Sequence, residues 1–143
     1  MQVSSSMPGH LIRRLHQLST QVFLQRVREA GYDLTPVQFA ALDALRHSPG
    51  IDQAGLAQAI GKDRATVGAV ADRLVQKELV TRIVSDRDKR SRELALTGEG
   101  EATLAALEPV VERLQKEILP GLDDAEYEAF IALARKAVVA GRG

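Results

Sequence analysis

Apolar positions along this chain recur first at helical spacing, then at every second residue, then at helical spacing again. From residue 8 to residue 30 two adjacent stripes run side by side, Leu11, Leu15, Leu18 and Val22 next to Ile12, Ser19, Phe23 and Val27. Pro8-Gly9 opens this helix and Gly31 closes it. Two stripes bury more of a helix than one packing neighbour covers, so a second chain is the expected partner. Thr35-Pro36-Val37-Gln38 starts the next helix, with Thr35 capping, Pro36 in the first turn and Gln38 completing a capping box. It runs to Ser48-Pro49-Gly50.

Asp52 caps a third helix, with Ile51 positioned to staple onto Leu56, and Gly61 ends it. A fourth follows after a very short turn, capped by Asp63, and two short helices joined through glycine match the helix-turn-helix pattern. On the fourth helix Val67, Val70, Ala71 and Leu74 share the side that packs on the core. The opposite side carries Ala65, Gly68, Ala69, Asp72 and Gln76, with Arg64 on one edge and Thr66 and Arg73 on the other. Small residues at the centre let a helix sit deep in a DNA major groove, while flanking arginines reach guanine edges or phosphates. Arg64, Ala65, Thr66, Ala69 and Arg73 are therefore the expected DNA contacts of this helix. An ordinary solvated face is the bland alternative for the helix taken alone.

The period then shortens. VTRIVS (80–85) and ELALT (93–97) have strand-forming composition and are joined by DRDKRSR, too charged for a core. The hairpin tip carries Arg87, Lys89, Arg90 and Arg92, a cation density suited to the narrow, electronegative minor groove. Helix-turn-helix followed by a basic hairpin is a winged helix. After it, a long helix begins at Thr97, is expected to bend at Pro109, and stops at Pro120-Gly121. Leu122-Asp123 and Glu126 supply a staple and capping box for a last helix with Tyr127, Phe130, Ile131 and Ala134 on its apolar face. The predicted fold is mainly α with a small β-hairpin. It divides into an N-terminal dimerisation helix (1–34), a winged helix-turn-helix lobe (35–97) and C-terminal dimerisation helices (98–143).

Charge sharpens this picture. The 143 residues carry 19 Lys/Arg and 19 Asp/Glu, a net charge of zero. Residues 61–92 nevertheless hold nine Lys/Arg against five Asp/Glu, and 93–143 five against ten, so the two stretches stand at +4 and −5. The basic stretch coincides with the fourth helix and the hairpin, which gives an electrostatic footprint despite the neutral total. With no cysteine, the chain has no thiol for sensing oxidants and no cysteine-ligated metal. Its three histidines, His10, His16 and His47, form no i, i+4 pair, and no Gly-rich phosphate loop or Ser/His/Asp set is present. No metal, no cofactor and no enzymatic activity are expected. The polar start MQVSSSMPGH lacks a signal-peptide core and no stretch nears the roughly 20 apolar residues that span a bilayer, so a cytoplasmic protein without membrane contact is expected.

Asp86-Arg87-Asp88-Lys89-Arg90, followed by Leu94, Leu96, Thr97 and Gly100, resembles the wing signature of MarR-type transcriptional regulators. DRLVQKELV before it is similar to their recognition-helix exit, and the resemblance extends over about residues 8 to 139. It implies a homodimer on double-stranded DNA, and on the signature's pattern Asp88 would orient wing and helix arginines such as Arg73 or Arg90. His10, Arg13, Arg14 and Gln17 share one side of the first helix, and a basic pair beside an apolar wall suits a carboxylate, although surface solvation is the plainer account. Regulators of the resembled kind often hold small aromatic acids between dimerisation helices and winged-helix lobe, which points to a pocket of His10, Arg13, Arg14, Gln17, Gln38 and Asp43. The function so predicted is a homodimeric repressor released from a pseudo-palindromic operator by a small aromatic carboxylate. A ligand-blind DNA-binding regulator and a protein-interaction module without DNA binding are the rival readings.

Overall fold

The computed structural model describes residues 3–87 and 90–141. After a single 3-10 turn at Val3–Ser6, the chain forms α1 (Pro8–Glu29), α2 (Pro36–His47), α3 (Gln53–Ile60), α4 (Arg64–Gln76), β1 (Val80–Val84), β2 (Arg92–Leu96), α5 (Gly98–Glu117) and α6 (Asp124–Gly141). This is the winged-helix architecture with helices added at both ends.

Local chemistry sets the helix starts. Thr35 accepts from Gln38 N while the Gln38 side chain accepts from Thr35 N, a complete capping box for α2. Asp52 caps α3 through Gly55 N at 2.7 Å, Asp63 caps α4 through Thr66 N at 2.8 Å, and Thr97 caps α5 through Gly100 N at 2.9 Å. Asp123 and Glu126 make the reciprocal box expected for α6. The long helix α5 passes through Pro109 as one continuous element.

Three helices end in the same way. At the ends of α1, α3 and α4 a residue in the left-handed region follows the helix, with paired backbone bonds closing the last turn: Tyr32 N to Val27 O, Lys62 N to Ala57 O, and Leu79 N to Leu74 O. The left-handed residue is Gly31, Gly61 and, in the third case, Glu78, at φ 63°.

One apolar core joins α2, α3, α4, β2 and α5, with Leu42, Leu45, Leu56, Leu74, Leu94, Leu104 and Leu107 at its centre. Only the C-terminal half of α1 reaches it, through Phe23 and Val27, and the Phe23 ring meets Phe39 edge-on at 6.0 Å. The antiparallel hairpin pairs Val80 with Leu96 and Val84 with Arg92. Residues 50–52 add a third short partner on the other edge of β2: Leu94 N donates to Ile51 O and Gly50 N to Leu94 O. This tie locks the start of α3 to the base of the wing. The ion pairs Arg46–Glu108 (3.0 Å) and Arg26–Glu117 (2.8 Å) fasten α2 and α1 to α5.

Candidate nucleic-acid interface

The two faces of α4 are as distinct in space as in sequence. Val67, Ala71 and Leu74 are buried, Val70 is half-buried, and Arg64, Ala65, Thr66, Ala69 and Arg73 are all exposed. Asp63 does more than cap the helix. Its second carboxylate oxygen accepts the Thr66 hydroxyl at 2.8 Å, and the Thr66 backbone and hydroxyl bonds together hold the Asp63 carboxyl below its usual range. With its proton committed to Asp63, the hydroxyl of the exposed Thr66 keeps only acceptor capacity for an outside group. Arg73 is steadied by a 3.2 Å bond to Gln76.

The wing comes back to the start of this helix. Arg64, Arg90 and Arg92 line one groove of about 310 Å³ with Gln53 and Ala54 of α3's first turn. Asp52 shares the groove, and its carboxylate accepts from Gly55 N and from Ser91 Oγ, another lining residue. Arg87 is exposed, with its backbone N–H bonded to Ser85 Oγ at 3.2 Å. Lys89 and the wing-orienting candidate Asp88 lie outside the described residues.

Sequence reasoning missed a cluster behind this surface. Arg82, on β1, donates through Nη1 to Gln53 Oε1 at 3.1 Å and through Nη2 to Asp72 Oδ1, so one guanidinium holds α3, α4 and the wing together. Asp72, expected at the centre of the candidate reading side of α4, is the acidic anchor of that arrangement. The available signal was an arginine in the middle of an otherwise apolar strand. Lys77 at the end of α4 is the second omission: its ammonium donates to Asp33 O and Gln38 Oε1, joining the reading helix to the α1–α2 loop.

The residues expected around a ligand fall into two sets. His10 is half-buried and Arg13, Arg14 and Gln17 are exposed along α1. Gln38 serves the α2 capping box and Lys77, and Asp43 pairs with Arg46 at 2.9 Å. A larger apolar groove of about 660 Å³ runs along another side of α1, between Ile12 and Leu15 on that helix and Phe130, Ile131 and Leu133 on α6. No helix among the described residues is long and apolar enough to cross a membrane.

A basic hairpin beside an exposed, small-centred helix is the reading head of a winged-helix DNA-binding protein. Comparison with known proteins narrows the class. The sequence model of the MarR family matches residues 32–91. The transcriptional regulator HosA of Escherichia coli O157:H7 is 36% identical over 127 residues, which are 89% of this chain and 91% of its own. BpsR of Bordetella bronchiseptica, whose DNA binding is regulated by 6-hydroxynicotinic acid, has a TM-score of 0.85 and 31% identity, with 94% of each chain covered. CouR, a transcriptional repressor solved on a 23-mer DNA duplex, has a TM-score of 0.81 and 30% identity, again with 94% of each chain covered. The chain belongs to the MarR family of transcriptional regulators.

Proposed function

We propose that this regulator is a homodimeric repressor that binds a pseudo-palindromic operator and leaves it when a small aromatic acid binds. The observation that carries the reading is the convergence of Arg64 of the reading helix and Arg90 of the wing on one groove, a single surface presented to one half-site. The uncovered apolar faces of α1 and α6 are where a second copy would pair the half-sites. On this reading Arg64, Ala65, Thr66, Ala69 and Arg73 face base edges and phosphates of the major groove, and Arg87, Lys89 and Arg90 serve the minor groove and backbone. Asp88 orients the arginines around it.

The aromatic-acid arm draws on BpsR and its 6-hydroxynicotinic acid. Here His10, Arg13, Arg14 and Gln17 would receive the carboxylate, with Gln38 and Asp43 on the far wall. A typical coupling of about 1–3 kcal/mol between ligand and operator lowers DNA affinity roughly 5- to 150-fold, and saturating DNA lowers ligand affinity by the same factor. The ligand-blind reading draws support from Gln38 and Asp43, whose side chains are committed to Lys77 and Arg46 within the chain.

One set of titrations tests both arms. An operator enriched from random duplexes on the wild-type protein should consist of two half-sites about one helical turn, roughly 10 bp, apart or a multiple of it. Inserting half a turn between them should abolish tight binding, and unchanged affinity would refute the symmetric dimer. 6-Hydroxynicotinic acid and related benzoates should weaken the intact operator complex. A protein that keeps its affinity in every acid is the ligand-blind regulator.

A further inference from the structure

Gln53 is the first residue of α3, not part of the reading helix, yet its side chain belongs to the reading surface. Its amide nitrogen lies 3.9 Å from the point where a Cβ on Gly68 would sit, at the small-residue centre of α4. Its amide oxygen accepts from Arg82 Nη1 at 3.1 Å. A guanidinium is donor-only, so the side of the amide facing Arg82 must be the oxygen, and the NH2 group is the side left for an outside acceptor. Arg82 is itself fixed from its other nitrogen by Asp72 and is only 26% exposed. The amide is therefore oriented before any DNA arrives.

What faces this donor follows from its surroundings. Gln53 lines the groove that also holds Arg64, Arg90 and Arg92, beside the backbone of α3's first turn. Among the described residues that line it, this groove has three guanidinium groups and one carboxylate, Asp52, which accepts from Gly55 N and Ser91 Oγ, and that excess of cationic groups suits an anion. We propose that Gln53 is a phosphate-contact residue of the operator complex, held with its donor edge outward by Arg82, which Asp72 fixes in turn. Gln53 touches the DNA backbone. Arg82 and Asp72 are positioning residues that act through it.

The inference rests on the operator-binding reading, and its test separates the two. On the enriched operator, Gln53→Met keeps the side-chain length and removes the amide. Operator affinity should fall about tenfold, by a similar factor for every base-pair variant of the operator. The salt dependence should keep its slope, because a neutral amide releases no counterion, whereas Arg64→Ala should flatten it. Arg82→Met should weaken binding in the wild-type background and add much less in the Gln53→Met background, a non-additivity that mere loss of charge near DNA would not show. Thermal unfolding of each variant monitors folding, and Gln53→Met alone decides the question if Arg82→Met fails to fold. Unchanged affinity in Gln53→Met overturns the proposal, as does a loss confined to one base pair, which would make Gln53 a base reader. If the wild type enriches no duplex at all, the operator reading itself falls and this inference with it.

Discussion

The winged-helix lobe and the last helix of this chain follow opposite rules. In the lobe, Leu42, Leu45, Leu56, Val67, Leu74 and Leu94 are each at most 1% exposed, and every helix start has its cap. In α6 no residue is buried, and Leu133, Val138 and Val139 stand 67%, 57% and 62% exposed although the helix is well capped. The N-terminal half of α1 is similar, with Leu11, Ile12 and Leu18 open. An exposed apolar face on a capped helix marks a place for a partner, and the proposed homodimer supplies one. On the proposed homodimer the contrast divides the labour: one chain shapes a reading head, and a second copy sets the distance between two of them.

The largest effect should come from removing the unfinished half. A chain ended at Gly121 lacks α6 and should be monomeric by analytical ultracentrifugation. Its operator affinity should fall by about 10²- to 10⁴-fold, the usual loss when two linked contacts become one. Because α6 adds nothing to the buried core, the lobe should keep its helical circular dichroism and a cooperative melt. A truncated dimer would place the interface elsewhere. A truncated chain that no longer folds would show that lobe and terminal helix are one cooperative unit.

The converse experiment breaks the finished half. At Gly100, in the first turn of α5, an added Cβ would lie 2.1 Å from the Leu79 carbonyl oxygen and 3.1 Å from its carbon. That same oxygen accepts the Thr97 N–H at 3.0 Å. Both neighbours are backbone, so relief requires moving α5 off the wing base. Gly100→Ala should cost about 3 kcal/mol in urea unfolding. A loss below about 1 kcal/mol would mean that the lobe is far more plastic than its packing implies.

The same two regions differ in how far the sequence announced them. Period and punctuation were enough for the lobe: Thr35, Asp52, Asp63 and Thr97 marked starts, Gly31 and Gly61 marked stops, and the switch to VTRIVS and ELALT marked the wing. The contacts of residues 50–52 with β2 were not legible, because three residues before a helix cap carry no strand pattern of their own. Nor was the Arg82–Asp72–Gln53 cluster, since side chains 29 positions apart meet only once the hairpin has folded back on the helices. Arg64 and Arg90 were both singled out as DNA contacts, but their sharing one groove is a tertiary fact. The exit of α4 was recognised by its likeness to a family pattern, and glycine, the usual sign of such a stop, is absent there.

That exit supports a gain of stability. Glu78 occupies the left-handed position that Gly31 and Gly61 hold at the ends of α1 and α3, and a side chain there brings its Cβ against the backbone at about 1 kcal/mol. Glu78→Gly should relieve the strain and remove a negative charge from the negative end of the helix, partly offset by the freer unfolded chain. The net gain should be about 0.5–1 kcal/mol by chemical unfolding, with the Thr97 hydroxyl still bonded to the residue 78 carbonyl. A destabilised variant would show that the Glu78 side chain contributes an interaction beyond its backbone conformation.

The smallest effect lies inside the lobe, on the seam between α2 and α5. Arg46 of α2 donates to both carboxylate oxygens of Glu108 on α5, at 3.0 and 3.4 Å. That hydrogen bond, and then the charge of Arg46, hold the Glu108 carboxyl below its usual range. A carboxyl depressed by folding contributes stability that is fully present above the ordinary glutamate range and is lost as pH falls through the lower folded value. The pair is exposed to solvent, so the contribution is modest and should weaken further in high salt. Glu108→Gln should therefore lower the melting temperature slightly at neutral pH, with the difference from wild type shrinking as the solution is acidified below the glutamate range. A difference that stays constant across that pH range would mean that the Glu108 side chain supports the seam by packing, not by its charge.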